Sequence, residues 1–401
     1  MSTTTMLPPP RRASATETPA RRRRIPAPRG RATGAFWLLV AVAAVLNMTG
    51  LVMVLSASSV ISLRETGSTW SYFERQVMWT GLGLVALVVF LYGDLDFWRR
   101  HARLWLGLAL GLLVAVVVPG MGVTVNGSTR WIAVGPLQVQ PSELAKFALL
   151  IFVADLLARR DGWMHDARFT LFPVLLYTGL VAGLIMLEPN LGTTVILVSM
   201  VLVMLFAAGT PMVSLICATL LGALAAAFSV ADTPFRRARF FAFLDPWKDP
   251  SNTGYQIIQA MVGTADGGLL GQGLGASRAK WGFLPYAHTD FIFAIIGEEF
   301  GLVGGILVIS LFLTLGGTGA WVASRASSRF ATLVATGVTA WLMVQALVNI
   351  GAVIGRLPIT GVPLPFISFG GSSLLVNLAA VGVLLNIARD PAPHASPRRG
   401  T

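Results

Sequence analysis

The sequence predicts an all-α membrane protein, a polytopic bundle of about ten transmembrane helices. Of its 401 residues, 55% are hydrophobic and only 12% are charged, and the mean hydropathy is +0.72. Soluble domains carry roughly a quarter charged residues, so this composition excludes a soluble enzyme, a disordered chain and a collagen-like fibre. The apolar runs, such as 104–118 and 193–208, are continuous rather than alternating, which favours helices over the strands of an outer-membrane barrel.

Ten apolar windows predict the membrane spans, since a helical span needs roughly 20 mostly apolar residues. The window at 290–321 is long for one span, so we expect it to tilt or protrude. A large loop, 231–290, separates the seventh span from the eighth. The windows are 35–57, 76–93, 103–119, 142–158, 171–187, 192–208, 212–230, 290–321, 330–354 and 373–388.

The basic residues predict the orientation of these spans. With the N-terminus inside, 19 Lys and Arg residues fall on the side of the termini and 10 on the opposite side. Because cytoplasmic loops are enriched in Lys and Arg, both termini are predicted to lie in the cytoplasm. The loops 120–141, 231–290 and 355–372 then lie outside. No long internal repeat is visible, so a transporter built from inverted repeats gains no support.

The chain divides into a basic tail, a membrane domain and a second tail. Residues 1–34 hold eight arginines and one acidic residue and are predicted to be disordered. This tail either only orients the protein on an anionic membrane face or binds a partner. Residues 35–390 form the membrane domain and residues 391–401 a cytoplasmic tail. The single cysteine, Cys217, lies in an apolar stretch and is interpreted as a buried structural thiol.

The net charge of +12 does not predict a nucleic-acid partner, because so much of the excess lies in the tail beside the first span. The predicted partner of that charge is the lipid bilayer. In the large loop we find neither a P-loop nor a dinucleotide fingerprint, so nucleotide binding is rejected. The same loop contains an apolar pattern that predicts a short amphipathic helix lying on the membrane: Ile257, Ile258, Met261 and Val262.

Residues 126–146 form the first polar cluster. Glu143 and Lys146 are three residues apart and therefore share a helix face near a membrane boundary. Ionisable residues at that depth usually face a bundle interior or a cavity. The two residues are either a structural ion pair or part of a polar cavity in which Lys146 and Arg130 receive an anionic headgroup. Trp131 either contributes to that cavity or is an ordinary interfacial aromatic residue.

Asp290 begins the eighth span, and Glu298 and Glu299 follow one to two turns deeper. Asp is a good N-cap, so a simple helix cap is one interpretation of Asp290. A carboxylate at a water–membrane boundary would also suit a general base. Glu298 and Glu299 need partners in the bundle, either Lys or Arg from other spans or water, and they are either structural or the next candidates for the base.

Two further segments complete the set of polar clusters. Glu188, in the turn between the fifth and sixth spans, is interpreted as a helix-end charge in water. The segment 351–373 is either a packed loop that lines a site or an ordinary outside connector, because irregular backbone near a membrane needs protein cover or a cavity.

Together these clusters resemble the SEDS family (shape, elongation, division and sporulation) over about residues 35–390. Within that family, residues 277–285 (SRAKWGFLP) look more like the FtsW branch than the RodA branch. The chain departs from the family pattern at Tyr286, where Glu is usual, and at Asn190, where Asp is common. The resemblance rests chiefly on residues 140–146 (QPSELAK), 288–293 (HTDFIF), 297–299 (GEE), 363–366 (PLPF) and 370–373 (GGSS).

The resemblance implies a peptidoglycan glycosyltransferase that polymerises lipid II, an undecaprenyl-pyrophosphate-linked disaccharide peptide. It implies work on the outer face of the cytoplasmic membrane, at the division septum. The implied partners are a class B penicillin-binding protein, which is a transpeptidase, and other division-complex proteins. The carboxylate of the family's His-Thr-Asp motif carries over to Asp290 as the catalytic candidate.

The residues fit a direct displacement in which Asp290 is the general base and basic groups stabilise the pyrophosphate. Arg130, Lys146 and Lys280 are the candidates for that charge stabilisation. No cofactor is evident and no metal-ligand cluster is visible, although a divalent cation, Mg²⁺ or Mn²⁺, would help neutralise a pyrophosphate. The candidate substrate-binding residues are Arg130, Trp131, Glu143, Lys146, Lys280, His288 and Ser372.

Two other classes of function stay open from the sequence. A lipid II flippase would also need a cavity with buried charges, and a non-catalytic scaffold of the division complex would need neither. The placement of the charges distinguishes an enzyme from a flippase. Candidates gathered on one face favour an enzyme, whereas charges that thread the bilayer favour transport.

Overall fold

The computed structural model describes residues 31–125, 128–135, 137–164 and 166–390. The predictions for residues 1–30, for residues 391–401 and for part of the 126–146 cluster lie outside this range. The described chain is mainly helical, and a long helix coincides with each predicted window. Five of these helices are long and apolar enough to cross a membrane, and four shorter ones are also apolar.

Thirteen helices follow one another in the described chain, ten of them long and three short. They are α1 (Gly34–Thr66), α2 (Ser71–Tyr92), α3 (Leu95–Arg100), α4 (Ala102–Val117), α5 (Pro141–Arg159), α6 (Leu171–Leu187), α7 (Leu191–Ala207), α8 (Met212–Asp232), α9 (Pro234–Leu244), α10 (Tyr255–Asp266), α11 (Ile292–Ser324), α12 (Arg329–Val353) and α13 (Gly371–Ile387).

The two ends of the bundle differ in character. Strand β1 (Arg31–Ala32) pairs antiparallel with a strand at 389–390, so the start and the end of the described chain meet at one end, which we call the terminal face. The opposite end, the loop face, carries the long connections and one tight turn. They are the segment 118–140, the α6–α7 turn (residues 188–190), the segment 233–266 with α9 and α10, the α10–α11 loop (residues 267–291) and the α12–α13 loop (residues 354–370).

The prediction of a wholly helical chain misses a small sheet on the loop face. Strands β2 (Val123–Val125), β3 (Ser128–Val134) and β4 (Leu137–Val139) form an antiparallel sheet in the order β2-β3-β4; the strand at the terminal face, Arg389–Asp390, is β5. The strands are short and lie between two long apolar windows, so hydropathy alone does not reveal them.

Two predictions about the spans need correction. Helix α1 continues nine residues beyond its window and ends at Thr66, where Gly67 adopts a left-handed conformation (φ 74°) and donates its N–H to Leu63. The interpretation of Cys217 as a buried thiol is wrong, because Cys217 is exposed on α8. That helix buries little of its surface against the rest of the protein, with only Leu215 and Ala218 fully buried.

The predicted amphipathic helix is confirmed as α10, but its apolar face does not simply rest on the membrane. Ile257 and Ile258 are buried, and α10 packs against α11. Val262 remains exposed. The apolar stripe therefore serves mainly to fasten the large loop to the bundle.

The long window at 290–321 is a helix broken at one residue. Gly301 has φ 63° and ψ −162° inside α11, so the helical hydrogen-bond ladder is interrupted there. The α10–α11 loop replaces the lost bonds. Gln272 and Gly273 donate their N–H groups to the carbonyls of Glu298 and Glu299 at 2.9 and 3.0 Å. In return the N–H groups of residues 302 and 303 donate to the carbonyls of residues 268 and 269 at 2.9 and 3.2 Å.

The α10–α11 loop approaches the backbone of α11 so closely that residue 267 must be a glycine. A Cβ atom added there would lie 1.9 Å from the carbonyl oxygen of Gly297, and backbone cannot move aside as a flexible side chain can. We therefore expect Gly267→Ala to lower the unfolding temperature in detergent, by the roughly 1–3 kcal/mol typical of overpacking.

The matched control for this substitution is Gly179→Ala. Gly179 lies within α6 and has open space where a Cβ would be added. Alanine is favoured over glycine in a helix interior by about 1 kcal/mol, so this variant should be as stable as the wild type or slightly more stable. Equal unfolding temperatures for the two variants would contradict the proposed close approach.

Candidate active site

The loop that carries Asp290 is fixed through its backbone. Asn349, on α12, donates from Nδ2 to the carbonyl of Asp290 and to the carbonyl of Val362, both at 2.8 Å. Ser368 donates from Oγ to the carbonyl of Thr289 at 2.5 Å. The α10–α11 and α12–α13 loops are therefore tied to each other and to α12. Of the two interpretations of the segment 351–373, these bonds favour the packed loop that lines a site.

The α10–α11 loop and the α12–α13 loop each contain a non-glycine residue with positive φ. Tyr286 has φ 59° and Phe366 has φ 66°, values that cost a non-glycine residue roughly 1–3 kcal/mol. The carbonyl of Tyr286 accepts the N–H groups of Thr289 and Phe291 at 3.1 and 3.3 Å, which closes a tight turn before α11. The surrounding hydrogen bonds hold this strained backbone in place.

The interpretation of Asp290 as a helix cap is wrong. Helix α11 begins at Ile292, its N-cap position is Phe291, and no side chain in the described chain makes a capping hydrogen bond there. The carboxylate of Asp290 instead lies against the backbone at Gly361, where an added Cβ would be 3.6 Å from Oδ2. A residue that does not cap the helix is available for other chemistry.

Arginines dominate the electrostatic surroundings of Asp290. Burial raises the pKa of its carboxyl to about 6, although the positive charges of Arg239 and Arg130 oppose this shift. The side chain is only partly buried and so remains within reach of solvent. A carboxyl with this pKa is ionised at neutral pH and still basic enough to accept a proton, which suits a general base.

The two arginines reach the site from different elements. Arg130 lies on β3, and Arg239 lies on α9. Burial lowers the pKa of both guanidinium groups, while the charge of Asp290 favours their protonated forms. Arg236 also acts on Arg130 electrostatically and shares a face of α9 with Arg239, because the two are three residues apart.

The sequence reasoning missed Arg239 as a site residue. The available signal was the spacing of Arg236 and Arg239 on one helix face, with Arg237 directed elsewhere and exposed. That signal depends on recognising α9 as a helix, and α9 lies in a loop that hydropathy does not resolve.

Arg130 also holds the α6–α7 turn. Its Nε donates to the carbonyl of Glu188 at 2.8 Å, and its Nη2 donates to the carbonyl of Pro189 at 2.6 Å. The side chain of Glu188 is only 1% exposed, so the interpretation of this residue as a charge in water is wrong. Burial raises the pKa of the Glu188 carboxyl to about 8, against the opposing charge of Arg130.

Glu143 and Lys146 meet as their spacing predicts. Lys146 Nζ lies 2.9 Å from Glu143 Oε1, and the lysine side chain is completely buried. Its ammonium group also lies 3.3 Å from Gln345 Oε1 and 4.8 Å from the ring centre of Trp341. Gln345 in turn donates to the carbonyl of Pro363 at 2.9 Å. The ion pair thus supports the α12–α13 loop from below.

Lys280 and Glu299 form a second buried pair. Lys280 Nζ lies 3.3 Å from Glu299 Oε1, and it donates to Ser56 Oγ at 3.2 Å and to the carbonyl of Gly275 at 2.6 Å. Ser56 Oγ donates to the same Glu299 oxygen at 2.6 Å. These contacts join α1, α11 and the α10–α11 loop. The ammonium group of Lys280 is therefore already bonded to other groups of the protein.

Glu298 fixes the same loop by accepting hydrogen bonds from it. Its Oε1 accepts the N–H of Arg278 at 2.7 Å, and its Oε2 accepts from Ser277 Oγ at 2.5 Å and from the N–H of Ala279 at 3.3 Å. The prediction that both glutamates of the 297–299 segment have partners is confirmed, although those of Glu298 lie in the α10–α11 loop rather than in another span.

Three other predicted site residues line the loop face. His288 is buried between the rings of Tyr72 and Phe369, with ring centroids 4.9 and 5.8 Å away, and burial lowers its pKa to about 4, so it is neutral. Ser372, at the start of α13, accepts the N–H of Gln140 at 3.2 Å. Trp131 follows Arg130 on β3, so the two side chains leave opposite faces of the strand.

The residues around Asp290 do not form a binding site for a divalent cation by themselves. Its charged neighbours are arginines, and within the described ranges no three His, Cys, Asp or Glu residues are grouped to hold a metal. Mg²⁺ requires about six oxygen ligands, of which the protein would supply one carboxylate here.

Comparison with known families places most of the chain in one of them. Residues 36–392 match the family of cell cycle proteins that groups FtsW, RodA and SpoVE. Among curated relatives, the chain is 41% identical over 372 residues to the probable peptidoglycan glycosyltransferase FtsW of Mycobacterium tuberculosis, covering 92% of this chain and 71% of that one. It is 39% identical over 352 residues to stage V sporulation protein E of Bacillus subtilis, covering 88% and 96%.

Solved structures agree with this comparison at the level of the fold. One is a peptidoglycan synthase complex described for its coordination of polymerization and crosslinking, with a TM-score of 0.72 and 29% identity over 89% of this chain and 98% of that one. Another is the crystal structure of the rod shape determining protein RodA of Thermus thermophilus, with a TM-score of 0.66 and 28% identity over 88% and 97%.

The raised pKa of Asp290 predicts a stabilising substitution. Because the pKa is about 6 in the folded protein and ordinarily 3.8, the folded state favours the protonated carboxyl, and its ionisation costs stability as the pH rises through 6. Asp290→Asn cannot ionise. Allowing for partial exposure, we expect it to stabilise the protein by about 1–2 kcal/mol at pH 7.5 and not at pH 4.

Thermal unfolding in detergent at the two pH values measures this difference. Asp266→Asn is the control, since Asp266 is exposed on the loop face and is not among the charges that act on Asp290. It should leave the unfolding temperature unchanged at both pH values. A gain for Asp290→Asn that is the same at pH 4 and pH 7.5 would show that ionisation is not its cause.

Proposed function

This chain belongs to the FtsW, RodA and SpoVE family of cell cycle proteins, and on that premise we propose that it polymerises lipid II into β-1,4-linked glycan strands with Asp290 as the general base. The resemblance predicted from the motifs is confirmed, and with it the peptidoglycan glycosyltransferase activity that the names of the relatives carry.

One observation carries the assignment of the active site to this part of the loop face. Asp290 is a carboxylate without a capping role, it is partly open to solvent, and its charged neighbours are Arg130 and Arg239. A base beside fixed positive charge matches the needs of a reaction that takes a proton from a hydroxyl group while negative charge develops on a diphosphate.

The reaction is a direct displacement. Asp290 removes the proton from the 4-hydroxyl of the acceptor sugar as that oxygen attacks the anomeric carbon of the donor. The bond from that carbon to the diphosphate oxygen breaks, and its electron pair leaves with undecaprenyl diphosphate. The proton stays on Asp290 until solvent removes it. Attack opposite to an α-linked leaving group gives a β bond with inversion.

The cations of the loop face fall into two groups, of which only Arg239 is not predicted from the sequence. Arg130 and Arg239 act directly on Asp290, so we assign the diphosphate to them. Lys146 and Lys280 are each engaged with a glutamate, so we assign them, together with Glu143, the task of holding the loops that line the site. His288, Trp131 and Ser372 remain proposed contacts for the sugars or the peptide.

The placement of the buried charges favours an enzyme over a flippase. All but one of the buried charged residues lie at or near the loop face. The exception, Asp155, lies near the terminal end of α5 and is bound by Arg99 and Arg159 at 2.9 and 2.8 Å. In the described chain no series of buried charged residues connects Asp155 with the loop face. A pathway for a polar headgroup would need polar groups at intermediate depth.

The membrane arrangement belongs to the same proposal. The protein lies in the cytoplasmic membrane, which its ten long helices cross as ten spans. The loop face lies outside, and both termini lie in the cytoplasm. The proposed partner is a class B penicillin-binding protein within the division complex, at the septum. The similarity to a synthase complex that coordinates polymerization and crosslinking supports a transpeptidase partner.

The role of Asp290 makes a direct prediction about activity. Asp290→Asn preserves the size of the side chain but removes the base, so glycan-chain formation by the purified protein with its transpeptidase should fall at least about 100-fold. In the wild type, the rate should also fall as the pH drops below about 6, because the base must be ionised. Gel analysis of glycan chains measures both effects.

Asp266→Asn serves again as the control, and it should polymerise lipid II at the wild-type rate. The unfolding measurements on Asp290→Asn show whether that variant is folded. Near-normal chain formation by a folded Asp290→Asn variant would remove Asp290 from the mechanism.

The proposed orientation is tested by labelling single cysteines in a Cys217→Ala background. Ser251 and Ser327 are both exposed, the first between α9 and α10 on the loop face and the second between α11 and α12 on the terminal face. With an impermeant maleimide on intact cells, Ser251→Cys should be labelled and Ser327→Cys should not. The reverse pattern would invert the orientation.

A further inference from the structure

The α6–α7 turn contains a buried carboxyl group that has no hydrogen-bonding partner. Glu188 is 1% exposed, and among the described residues neither of its carboxyl oxygens has a partner. Burying an ionised carboxylate without a partner is strongly unfavourable, so such a group keeps its proton. The other buried glutamates of the loop face, by contrast, accept hydrogen bonds or face a lysine.

Arg130 is the charge that acts on Glu188, but it does not pair with the carboxyl group. Its Nε and Nη2 donate to the carbonyls of Glu188 and Pro189 at 2.8 and 2.6 Å. A guanidinium has five N–H donors in a planar fork, so these two bonds leave other donors for a ligand. The guanidinium group of Arg130 is therefore bonded to the backbone of the turn, while its positive charge acts on Asp290.

The same arginine connects Glu188 to the rest of the site. Arg130 interacts electrostatically with Glu188, Asp290, Arg236 and Arg239. The α12–α13 loop also packs beside the turn, and the residues that Gly192 meets there, Thr360 and Val362, are uncharged. The charge on Glu188 therefore reaches the site through Arg130.

We propose that Glu188 is a positioning residue of this glycosyltransferase, which by staying uncharged keeps Arg130 available to the diphosphate of the lipid-linked donor. The proposal rests on the function proposed above. When Glu188 ionises, its strongest available partner is Arg130, because a guanidinium–carboxylate pair is stronger than bonds to neutral carbonyls. Arg130 then turns away from the donor, and the site loses one positive charge.

The electrostatics of the turn set the pH at which this change occurs. Burial raises the pKa of the Glu188 carboxyl to about 8. The residue is therefore mainly protonated at pH 7 and mainly ionised at pH 9. Asp290, with a pKa of about 6, is ionised at both pH values and does not contribute to a change between them.

The test is the pH profile of kcat/KM for lipid II polymerisation by the full-length protein with its transpeptidase partner. For the wild type, one pH unit above the pKa leaves about a tenth of Glu188 protonated, so kcat/KM should fall about tenfold from pH 7 to pH 9. Glu188→Gln keeps the shape of the neutral acid and cannot ionise, so its kcat/KM should not fall. Asp266→Asn should follow the wild type. A buried residue with only a structural role would not change the shape of this profile.

Each outcome decides the proposal. A wild-type profile that is flat from pH 7 to pH 9 overturns it, and so does an equal fall in Glu188→Gln. If Glu188→Gln does not fold, Arg130→Gln replaces it, because Glu188 acts through that arginine; a tenfold fall that persists without Arg130 overturns the proposal. Failure of the wild type to polymerise lipid II at pH 7 is a different result, which overturns the proposed function itself.

Discussion

Backbone that leaves a helix inside an apolar bundle must find hydrogen-bonding partners within the protein, because hydrocarbon offers none. The loop face is built around this requirement. Asn349 satisfies the carbonyls of Asp290 and Val362, and Gln345 satisfies that of Pro363. Where α11 breaks at Gly301, the α10–α11 loop supplies the missing donors and acceptors. The same side chains that satisfy the backbone therefore fix the position of the candidate base.

That requirement also explains how the buried charges are used. Glu298 accepts two backbone N–H groups, and the Lys280–Glu299 pair joins three segments of the chain. A buried ion pair adds little net stability, because desolvation offsets most of the attraction, but removing one partner is strongly unfavourable. Such pairs specify one arrangement of the loops. The catalytic chemistry is left to charged groups that take no part in holding these loops together.

The sequence predicts the parts of this design that depend on local spacing. Continuous apolar windows locate the ten long helices, and the three-residue spacing of Glu143 and Lys146 predicts their contact. The sequence does not reveal that Glu188 is buried, because its burial depends on how the α6–α7 turn packs against distant segments. Arg239 is missed for a similar reason, since its approach to Asp290 is set by tertiary structure. Motif resemblance identifies Asp290 and the sequence names Arg130 as a candidate, whereas the approach of Arg239 to Asp290 emerges only from the fold.

Ion pairing distinguishes the charged side chains that hold the loops together from those of the candidate active site. Lys146, Lys280 and Glu299 have oppositely charged partners within hydrogen-bonding or ion-pair distance. Burial raises the pKa of the Asp290 carboxyl to about 6 and that of the Glu188 carboxyl to about 8, and the charge of Arg130 acts on both. Protein folding alone gives no reason to keep two such groups beside one arginine, because each destabilises the folded state when ionised. A reaction that transfers a proton beside a diphosphate gives that reason, since it needs a base and a positive charge that is not neutralised.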